Sequence, residues 1–577
     1  MMDIRQLLDQ AFTGVLTDIC ETDTPGIVKQ AQKAEFGHYQ ANGVLGAARK
    51  VGTNPRDLAA RVVNQIGMED IFSTDIAGPG FINIRLQPGF IQSELCRRWR
   101  NFGIDPVQPQ KYVVDYSAVN LAKEMHIGHL RSTTIGDAIV RILEFLGHEV
   151  VRANHVGDWG SQFGRLLAYM NLRSNSGESI STELSDLEKF YQQASTMFRN
   201  DEAFAADARN YVVRLQSGDE TCLALWRQFI SISIEHCQAV YDKFDISLTK
   251  ADIRAESAYN DDLPLVVNEL TEIGLLEDSD GAKCVFLDEF TGKDGKPLPA
   301  IVQKSDGGYP YMATDIAAVR YRTGKLAADK VLYVVGRDQQ LHFQQLFAVA
   351  KAAGYIQDRH EFRHLPFGMV LKPDGSRFKT RDGGDVKLSD VLDEAVERAL
   401  VLVSGKNPDL QEATRRKIAR VVANGAVKYA ELSRNRVTDY TFDWDTMLAF
   451  EGNTAPYLQY AYTRICSIFR RAGVSGESLQ ATSADEFHLL EKQEIRLAVK
   501  LLQFNEAIAS VLDDYQANVL CNYLYELSSL FMAFYEHCPI IDSEDSIKTS
   551  RLLLSRLTAQ TLKQGLNLLG IETVEKM

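Results

Sequence analysis

Residues 111–153 have the pattern strand, polar loop, helix, strand, which restricts the fold more than any other part of the chain. The first strand is a short β-rich run at 112–116. Apolar residues at helical spacing then predict a helix from about 129 to 146. The run at 149–153 is the next strand. This order predicts a βαβ unit, which belongs to a parallel sheet with helices on its faces.

A second set of the same elements lies downstream. The sequence predicts a strand at 331–335, a helix at 340–353 and an apolar run at 367–371. Residues from about 165 to 305 separate the two halves and have the pattern of a mostly helical insertion. Ligands of such sheets bind beyond the carboxyl ends of the strands, so we expect the functional site there.

Two regions flank this Rossmann-type parallel sheet. Residues 1–107 are predicted as a small α/β domain that ends at a proline-containing linker. Its expected helices and strand are 4–19, 43–51, 55–66 and 81–86. From about 390 the chain has helical patterns almost throughout, which predicts an all-α C-terminal bundle. The fold class is therefore α/β, with several domains, because 577 residues exceed a single core.

Composition and charge exclude some classes of protein. The formal net charge of −14 excludes a chain that is basic over its whole surface. It leaves nucleic-acid binding open, because a phosphate backbone needs only a local stripe of Lys and Arg. The first residues lack an apolar signal region, and no run of about 18 apolar residues occurs, so we expect no membrane span.

Eight scattered cysteines without a C-x-x-C pair argue against a zinc knuckle and a disulfide framework. We expect free thiols, no structural zinc, and a reducing cytoplasm as the location.

The loop at 117–132 carries the most informative chemistry. It leads into a helix N-terminus, where unpaired backbone N–H groups bind anions. Gly128 lets a nucleotide approach the backbone, while His126 and His129 can donate to phosphate oxygens. Lys123 adds a positive charge. The H-x-x-H spacing could instead hold zinc, but no third ligand follows at a suitable spacing, and two structural histidines are the other alternative.

Residues 126–129 match the H-I-G-H motif of class I aminoacyl-tRNA synthetases. The wider run 117–133, with 154–164, closely resembles arginyl-tRNA synthetases of the bacterial type. This resemblance implies that arginine reacts with Mg-ATP to give arginyl-adenylate and pyrophosphate. The arginyl group then passes to the terminal ribose of tRNA(Arg). It implies catalytic roles for Lys123, His126 and His129, ATP binding by Gly128, and a need for bound tRNA before the first step.

Class I enzymes also carry a K-M-S-K-S loop after the last strand of the second half. The corresponding stretch here is 372–384, where R-F-K-T-R replaces the motif. Thr380 stands at the position of the central lysine. By resemblance, Lys123 supplies the missing charge, and Lys379 and Arg381 are candidates for ATP binding. The alternative is a flexible surface loop.

Selecting arginine requires a carboxylate that can meet a planar guanidinium through two parallel hydrogen bonds. Tyr311 and Asp315 are four positions apart and share one face if their segment is helical. The resemblance assigns both to the guanidinium pocket with Gln339, and assigns Asn120 to the α-amino or carboxylate group. Asp338 is either a further pocket acid or a helix N-cap. A buried carboxylate can discriminate by roughly 10⁴–10⁵ without an editing domain.

The flanking regions resemble the tRNA-binding parts of the same family. The resemblance implies D-loop contact by 1–107, a catalytic domain at 108–389, a stem-contact region at 390–450 and an anticodon-binding domain at 451–577. Candidate tRNA contacts are Tyr39, Gln40, Asn42, Tyr457, Tyr460 and Arg464. Turn chemistry explains the first three nearly as well, and core packing is the alternative for either C-terminal tyrosine alone.

Three other classes of protein compete with this hypothesis. They are a class I synthetase for another amino acid, a nucleotidyltransferase that never binds tRNA, and a non-catalytic tRNA-binding paralogue. The extended loop favours arginine, and the long helical C-terminal region argues against the nucleotidyltransferase. The intact lysine, glycine and histidines of the loop argue against the paralogue. We expect a monomer, because no unusually apolar surface helix is evident.

Overall fold

The computed structural model describes residues 3–99, 101–104, 107–176, 187–292, 295–378 and 386–577. The chain divides into two compact units. One unit contains Met1–Val107, Val403–Tyr429 and Leu448–Met577, and the other contains Gln108–Leu402 and Ala430–Met447. The division of the chain into four functional domains stays a prediction.

The N-terminal part of the first unit is an antiparallel sheet with four helices. The helices are α1 (Ile4–Cys20), α2 (Gly43–Val51), α3 (Pro55–Ile66) and α4 (Pro88–Arg98). The strands are β1 (Val28–Gln30), β2 (Tyr39–Ala41), β3 (Phe72–Ala77) and β4 (Phe81–Leu86), in the order β1-β2-β4-β3. Helix α1 begins at an Asp3–Gln6 capping box and buries Leu8, Phe12 and Leu16, which are four positions apart. The three helices and the strand predicted in this region are confirmed.

The second unit begins with the predicted βαβ unit. Strand β5 (Lys111–Asp115), helix α5 (Leu130–Phe145) and strand β6 (Glu149–Ala153) follow in that order, and the two strands pair in parallel. The prediction for this part of the chain is confirmed. Leu130, Ile139 and Leu143 of α5 are buried, as are 13 of its 16 residues, so the helix is enclosed on nearly all sides.

The predicted insertion is helical, as expected, and also contains a small sheet. Its helices are α6 (Ser161–Asn175), α7 (Leu187–Asn200), α8 (Glu202–Gln216), α9 (Glu220–Lys243) and α10 (Leu263–Glu272). Its three antiparallel strands are β7 (Glu277–Ser279), β8 (Ala282–Val285) and β9 (Ala300–Gln303). The sequence did not predict this sheet, because its strands have only three or four residues each.

The second half of the parallel sheet differs from the prediction at one strand. Its elements are α11 (Tyr311–Gly324), β10 (Lys330–Tyr333), α12 (Gln340–Ala352), β11 (Glu361–His364) and β12 (Val370–Leu371). The sheet order is β11-β10-β5-β6, with all strands parallel. The apolar run at 367–371, predicted as the next strand, lies outside this sheet. The fourth strand is β11, which reads E-F-R-H and is half-buried, so it lacks the apolar pattern of a central strand.

The remaining elements are mostly helices. They are α13 (Leu388–Lys406), α14 (Glu412–Leu432), β13 (Tyr440–Thr441), α15 (Trp444–Met447), α16 (Ala455–Ala472), α17 (Lys492–Leu502), α18 (Phe504–Asp514), α19 (Asn518–His537) and α20 (Asp545–Leu568). Strand β13 pairs in parallel with β12. The predicted apolar stripes of the bundle are buried, as Leu458, Ile465, Leu497 and Ile508 illustrate. The helical character predicted for the C-terminal region is confirmed.

All eight cysteines have free thiols, as predicted; Cys96 and Cys466 are half-buried and the others are buried. Among the described helices, none has both the length and the apolarity needed to cross a bilayer.

Candidate active site

The backbone turns sharply where β5 ends. Ser117 and Ala118 have left-handed backbone angles, with φ of 68° and 45°. For residues with a Cβ this conformation costs roughly 1–2 kcal/mol each. Two hydrogen bonds hold the turn: Ser117 N–H donates to Ser132 Oγ at 2.9 Å, and Ala118 N–H donates to Asn154 Oδ1 at 3.1 Å. The costly conformation thus lies at the start of the predicted nucleotide loop, as is common at functional sites.

His126, Gly128 and His129 form one short turn immediately before α5. His126 Nδ1 accepts from Gly128 N–H, and His129 Nδ1 accepts from His126 N–H, both at 3.1 Å. A neutral ring with an accepting Nδ1 carries its proton on Nε2. Burial, the neighbouring His126 and Lys123 lower the pKa of the His129 imidazole to about 3, so this ring is neutral at pH 7. The turn can therefore present imidazole N–H donors to an anion.

Gly128 is sterically required at this turn. A Cβ at position 128 would lie 2.8 Å from the His126 ring. The ring centroids of His126 and His129 are 4.0 Å apart, so a displaced His126 would also disturb its partner. Glycine thus serves the packing of the two histidines, in addition to the close approach of a ligand expected from the sequence.

Lys123 contacts the helical insertion. Its Nζ is 5.0 Å from the centroid of the Tyr191 ring on α7, a cation–π distance. The adjacent Glu124 forms an ion pair with Lys387 at 3.1 Å. The loop that carries Lys123 and Glu124 thus contacts the insertion through Tyr191. It also contacts the segment after the predicted second motif through Lys387.

That segment pairs directly with the H-I-G-H turn. Ile127 N–H donates to the Val386 carbonyl at 3.0 Å, and Leu388 N–H donates to the Met125 carbonyl at 2.9 Å. On the other side of the motif, Lys372 N–H donates to the Ser376 carbonyl at 2.8 Å. The candidates Lys379 and Arg381, together with Thr380, lie outside the described residues.

Tyr311 and Asp315 lie in the first two turns of α11, so the helix expected for this pair is confirmed. The Asp315 carboxylate is approached from two sides: His342 Nε2 lies 2.6 Å from Oδ2, and His155 Nε2 lies 3.8 Å from Oδ1. The Tyr311 side chain is 61% exposed. The two histidines thus fix the position of the Asp315 carboxylate, which stays partly accessible. The exposed Tyr311 phenol lies one helical turn away.

Glu256 provides a second carboxyl group at this place, and the sequence did not predict it. Burial raises the pKa of its carboxyl to about 8, and the nearby charges of Asp315 and Asp158 add to the effect. The Glu256 segment is fixed by Ser257, whose N–H and hydroxyl both donate to Asp158, at 2.9 and 2.5 Å. Glu256 begins a single 3-10 turn, Glu256–Tyr259, that carries no motif, so the sequence contains no local signal for it.

Asn120 and Gln339 are the other predicted arginine contacts. Asn120 Oδ1 accepts from Ala122 N–H at 3.0 Å, and Leu121 N–H donates to the Gly157 carbonyl at 2.9 Å, which joins the loop to the chain after β6. Gln339 is exposed in the turn before α12 and its amide donates to Asp338 at 3.3 Å. Asp338 is not the N-cap of α12, because that position is Gln339.

Comparisons with known proteins bear on the whole chain. Three family models match consecutive parts: the arginyl tRNA synthetase N terminal domain at 2–86, the class I (R) tRNA synthetase catalytic domain at 91–444 and the DALR anticodon binding domain at 458–577. The curated arginine–tRNA ligases of Hahella chejuensis and Marinomonas sp. are each 52% identical to this chain, with 100% of both chains covered.

The chain belongs to the arginyl-tRNA synthetase family. Its activity is arginine–tRNA ligation, so the family, the enzyme class and the function predicted from the sequence are confirmed. Solved arginyl-tRNA synthetases from Plasmodium falciparum and Thermus thermophilus superimpose with TM-scores of 0.87 and 0.83, at 32% and 25% identity and with 100% of each chain covered. These structures confirm the predicted fold class.

Among the candidate tRNA contacts of this synthetase, Tyr39 is placed differently from the prediction. Its ring is fully buried, and its hydroxyl donates to Glu506 at 2.5 Å. A ring without exposed surface offers no face to a base, so the predicted stacking role of Tyr39 is wrong for this structure. Gln40 is half-buried and its amide donates to Asn83 at 2.8 Å. Asn42 precedes α2, and its Oδ1 is buried without a hydrogen-bond partner.

The three C-terminal candidates lie on one helix of the synthetase, α16. Arg464 donates to the Tyr460 hydroxyl at 3.2 Å, and its guanidinium lies 4.8 Å from the Tyr535 ring centroid. Tyr457 is half-buried, with its ring 5.7 Å from that of Tyr525. The structure thus brings Tyr460 and Arg464 together, and places Tyr457 one turn earlier on the same helix.

Proposed function

We propose that the H-I-G-H turn binds the phosphates of ATP and that the acidic cluster of Asp315 and Glu256 binds the guanidinium of L-arginine. The arginine assignment depends on one observation. The carboxyl groups of Asp315 and Glu256 come from distant segments of the chain and lie near each other, and the pKa of Glu256 is raised. A cationic side chain relieves this arrangement, because it favours the ionised form of the Glu256 carboxyl.

The loop at 117–132 stabilises the charge of the phosphates. His126 and His129 donate their Nε2 protons to phosphate oxygens while Gly128 leaves room at the backbone. Lys123 supplies the positive charge that offsets the charge developing on pyrophosphate, in place of the absent motif lysine. Preorganised donors and cations of this kind contribute about 10²–10³ each to the rate.

Arginine is held at both ends. Asp315 accepts two hydrogen bonds from the guanidinium, with Glu256, Tyr311 and Gln339 around it, and Asn120 binds the α-amino or carboxylate group. His342 and His155 keep the Asp315 carboxylate in position. Lysine cannot reproduce the planar, bidentate geometry, which explains selectivity for arginine.

The reaction then proceeds in two steps. An oxygen of the arginine carboxylate attacks the α-phosphorus of ATP, the bond between the α- and β-phosphates breaks, and pyrophosphate leaves. A hydroxyl of the terminal ribose of tRNA(Arg) then attacks the acyl carbon, and AMP leaves. No side chain acts as a nucleophile, so the protein contributes positioning and charge stabilisation.

Magnesium accompanies ATP in this proposal. Within the described part of the chain, no group of three or more His, Cys, Asp and Glu side chains is arranged to hold a metal ion. The described residues therefore do not form a protein cage for the ion, and we assign no magnesium ligand. Mg²⁺ commonly binds through substrate phosphates and water.

The partner tRNA is proposed to contact both ends of the chain. Gln40 and Asn42 are the remaining N-terminal candidates for the D-loop, and Tyr457, Tyr460 and Arg464 are the candidates for the anticodon. The enzyme is proposed to act as a monomer in the cytoplasm, a reducing compartment in keeping with its free thiols.

Aminoacylation of total tRNA with each of the twenty amino acids tests the substrate. We expect charging with arginine alone, abolished by omission of ATP. Charging with another amino acid, or arginine charging that survives loss of the acidic cluster by Asp315→Asn with Glu256→Gln, would contradict the proposal.

A further inference from the structure

A cleft of about 690 Å³ lies at the edge of the parallel sheet opposite to the candidate active site. Lys325 lies shortly before β10, and Arg359 and His360 directly precede β11, so these parts of the wall lie at the amino ends of the strands. Arg320 and Tyr321 from the last turns of α11 complete this side, and Arg254 reaches the cleft from the Glu256 segment.

Most of the cationic side chains that line the cleft lack an acidic partner. Arg320 is more than neutralised, because it forms ion pairs with two carboxylates, Asp262 at 3.2 Å and Glu269 at 2.7 Å. Arg254, Lys325 and Arg359 have no carboxylate at ion-pair distance among the described residues. The cleft therefore has three positive charges without an ion-pair partner, which outweigh the excess negative charge of the Arg320 group, in a chain whose net charge is −14.

Arg254 is held in a fixed orientation. Its guanidinium carbon lies 3.7 Å from the Tyr321 ring centroid and 4.7 Å from that of Tyr259. Its Nε is buried and has no hydrogen-bond partner. A stacked guanidinium loses little entropy on binding, and its planar fork matches the oxygens of a phosphate group.

His360 adds a neutral donor to the same wall. Its Nδ1 accepts from Gln357 N–H at 3.0 Å, so the neutral ring carries its proton on Nε2. That nitrogen is buried without a hydrogen-bond partner. Burial, followed by the charge of Arg359, lowers the pKa of the imidazole, which keeps the ring neutral at pH 7. A rotation of the ring that exposes Nε2 to the cleft would let a bound acceptor satisfy this unpaired donor.

We propose that this cleft is a second binding site of the enzyme, which takes a small anion bearing a diphosphate group. Arginine, lysine and imidazole donors without acidic partners are the chemistry that recognises phosphate oxygens. The volume lies within the range of about 300–1,000 Å³ that is typical of small-molecule sites. The site is separate from the H-I-G-H turn, which lies beyond the carboxyl end of β5.

Isothermal titration of the full-length enzyme with inorganic pyrophosphate tests this site. The test variant is Lys325→Ala with Arg359→Ala, both of which are exposed. The matched control is Lys250→Ala with Lys304→Ala, which removes the same charge from exposed positions that do not line the cleft. Aminoacylation rates of all three proteins confirm that each is folded and that its active site is intact.

We expect the wild-type isotherm to contain a binding event at the cleft, which the cleft variant weakens at least tenfold and the control variant retains. Any binding at the active site stays equal in the three proteins. A parallel titration with ADP distinguishes the two sources of a diphosphate: tighter binding of ADP assigns a nucleotide, and equal or weaker binding assigns free diphosphate. Identical pyrophosphate and ADP isotherms for the wild type and the cleft variant would overturn the proposal. So would an effect of the cleft variant on the KM for tRNA alone, which would assign the surface to RNA.

Discussion

The hydroxyl of Tyr39 donates to the carboxylate of Glu506 at 2.5 Å, although 467 positions separate the two residues in the chain. Gln30 donates to the other carboxylate oxygen at 2.8 Å, and Arg5 N–H donates to the first oxygen at 3.2 Å. Burial raises the pKa of this carboxyl. The N-terminal sheet and the C-terminal helices of the first unit thus meet at a buried carboxylate that three donors satisfy.

We therefore expect Tyr39→Phe to lower the free energy of unfolding by about 1–3 kcal/mol, because it leaves a buried acceptor without one of its donors. Urea denaturation followed by circular dichroism measures the change. Tyr457→Phe is the matched control, since its half-buried ring has no described hydroxyl hydrogen bond, and we expect a change below about 0.5 kcal/mol. Equal stability of the two variants would contradict a structural role for the Tyr39 hydroxyl.

Lys123→Ala is expected to slow adenylate formation by about 10²–10³, because it removes the positive charge that the proposal places beside the phosphates. Pyrophosphate exchange in the presence of tRNA measures this step. Lys123→Arg keeps the charge and should recover part of the rate. Exchange near the wild-type rate in Lys123→Ala would defeat the idea that this lysine compensates for Thr380.

Asp315→Asn is expected to raise the KM for arginine about 100-fold with little effect on the KM for ATP, since loss of one partner of a charge pair that the bound substrate covers costs about 2–5 kcal/mol. Steady-state exchange kinetics separate the two constants. Asp306→Asn in the exposed turn before α11 is the isosteric control. An unchanged arginine KM in Asp315→Asn would remove this residue from the pocket.

Arginine binding should depend on pH through Glu256. Its carboxyl has a pKa raised to about 8, so it is protonated at neutral pH in the free enzyme. A bound guanidinium favours the ionised form, and binding must release that proton. Affinity should therefore rise with pH, by up to about tenfold per unit below pH 8, and level off above it.

Calorimetry in buffers of different ionisation enthalpy measures this proton release directly. Glu256→Gln should bind arginine with a weaker pH dependence over the same range. A proton stoichiometry near zero in the wild-type enzyme at pH 7 would contradict the coupling.

A buried ion pair anchors the helix that follows the H-I-G-H turn. Arg131 and Glu431 are almost fully buried and form an ion pair at 2.7 Å, and Arg131 also donates to the Thr438 carbonyl at 2.8 Å. We expect Glu431→Gln to destabilise the protein by about 3–5 kcal/mol, because it leaves the arginine charge buried and unpaired. Arg131→Met with Glu431→Leu should cost less than the sum of the two single changes. Additive losses in thermal unfolding would show that the pair does not act as a unit.

Sequence can predict the parts of the site that depend on residues close together in the chain. The H-I-G-H turn and the helix of Tyr311 and Asp315 depend on residues within a few positions of one another, and both lie as expected. Their roles in binding ATP and arginine stay predictions. Sequence can also place β5, α5 and β6, because an apolar period of 3.6 between two β-rich runs has few other outcomes.

The parts that sequence does not predict depend on tertiary contacts. Glu256 is brought to the acidic cluster by long-range contacts, because its own N–H donates to the Val156 carbonyl at 3.1 Å and Ser257 N–H donates to Asp158, 99 positions earlier. Strand β11 cannot be recognised in the sequence, because its residues are only half-buried and lack an apolar pattern. It forms by pairing with β10, which lies before α12 in the chain. The burial of Tyr39 follows from a partner in a distant helix. In each case the decisive neighbour is far away in the chain, where periodicity and spacing carry no information.

Ser117 and Ala118, the two residues with left-handed backbone angles after β5, limit the thermal stability of this part of the enzyme. Glycine at 117 or 118 would relieve the steric crowding, yet it would also open further conformations to the loop. A stiff turn keeps the imidazoles and the ammonium group assembled before a substrate arrives, and it does so at the expense of thermal resistance. Heat tolerance and catalytic readiness thus place opposite demands on the same two positions.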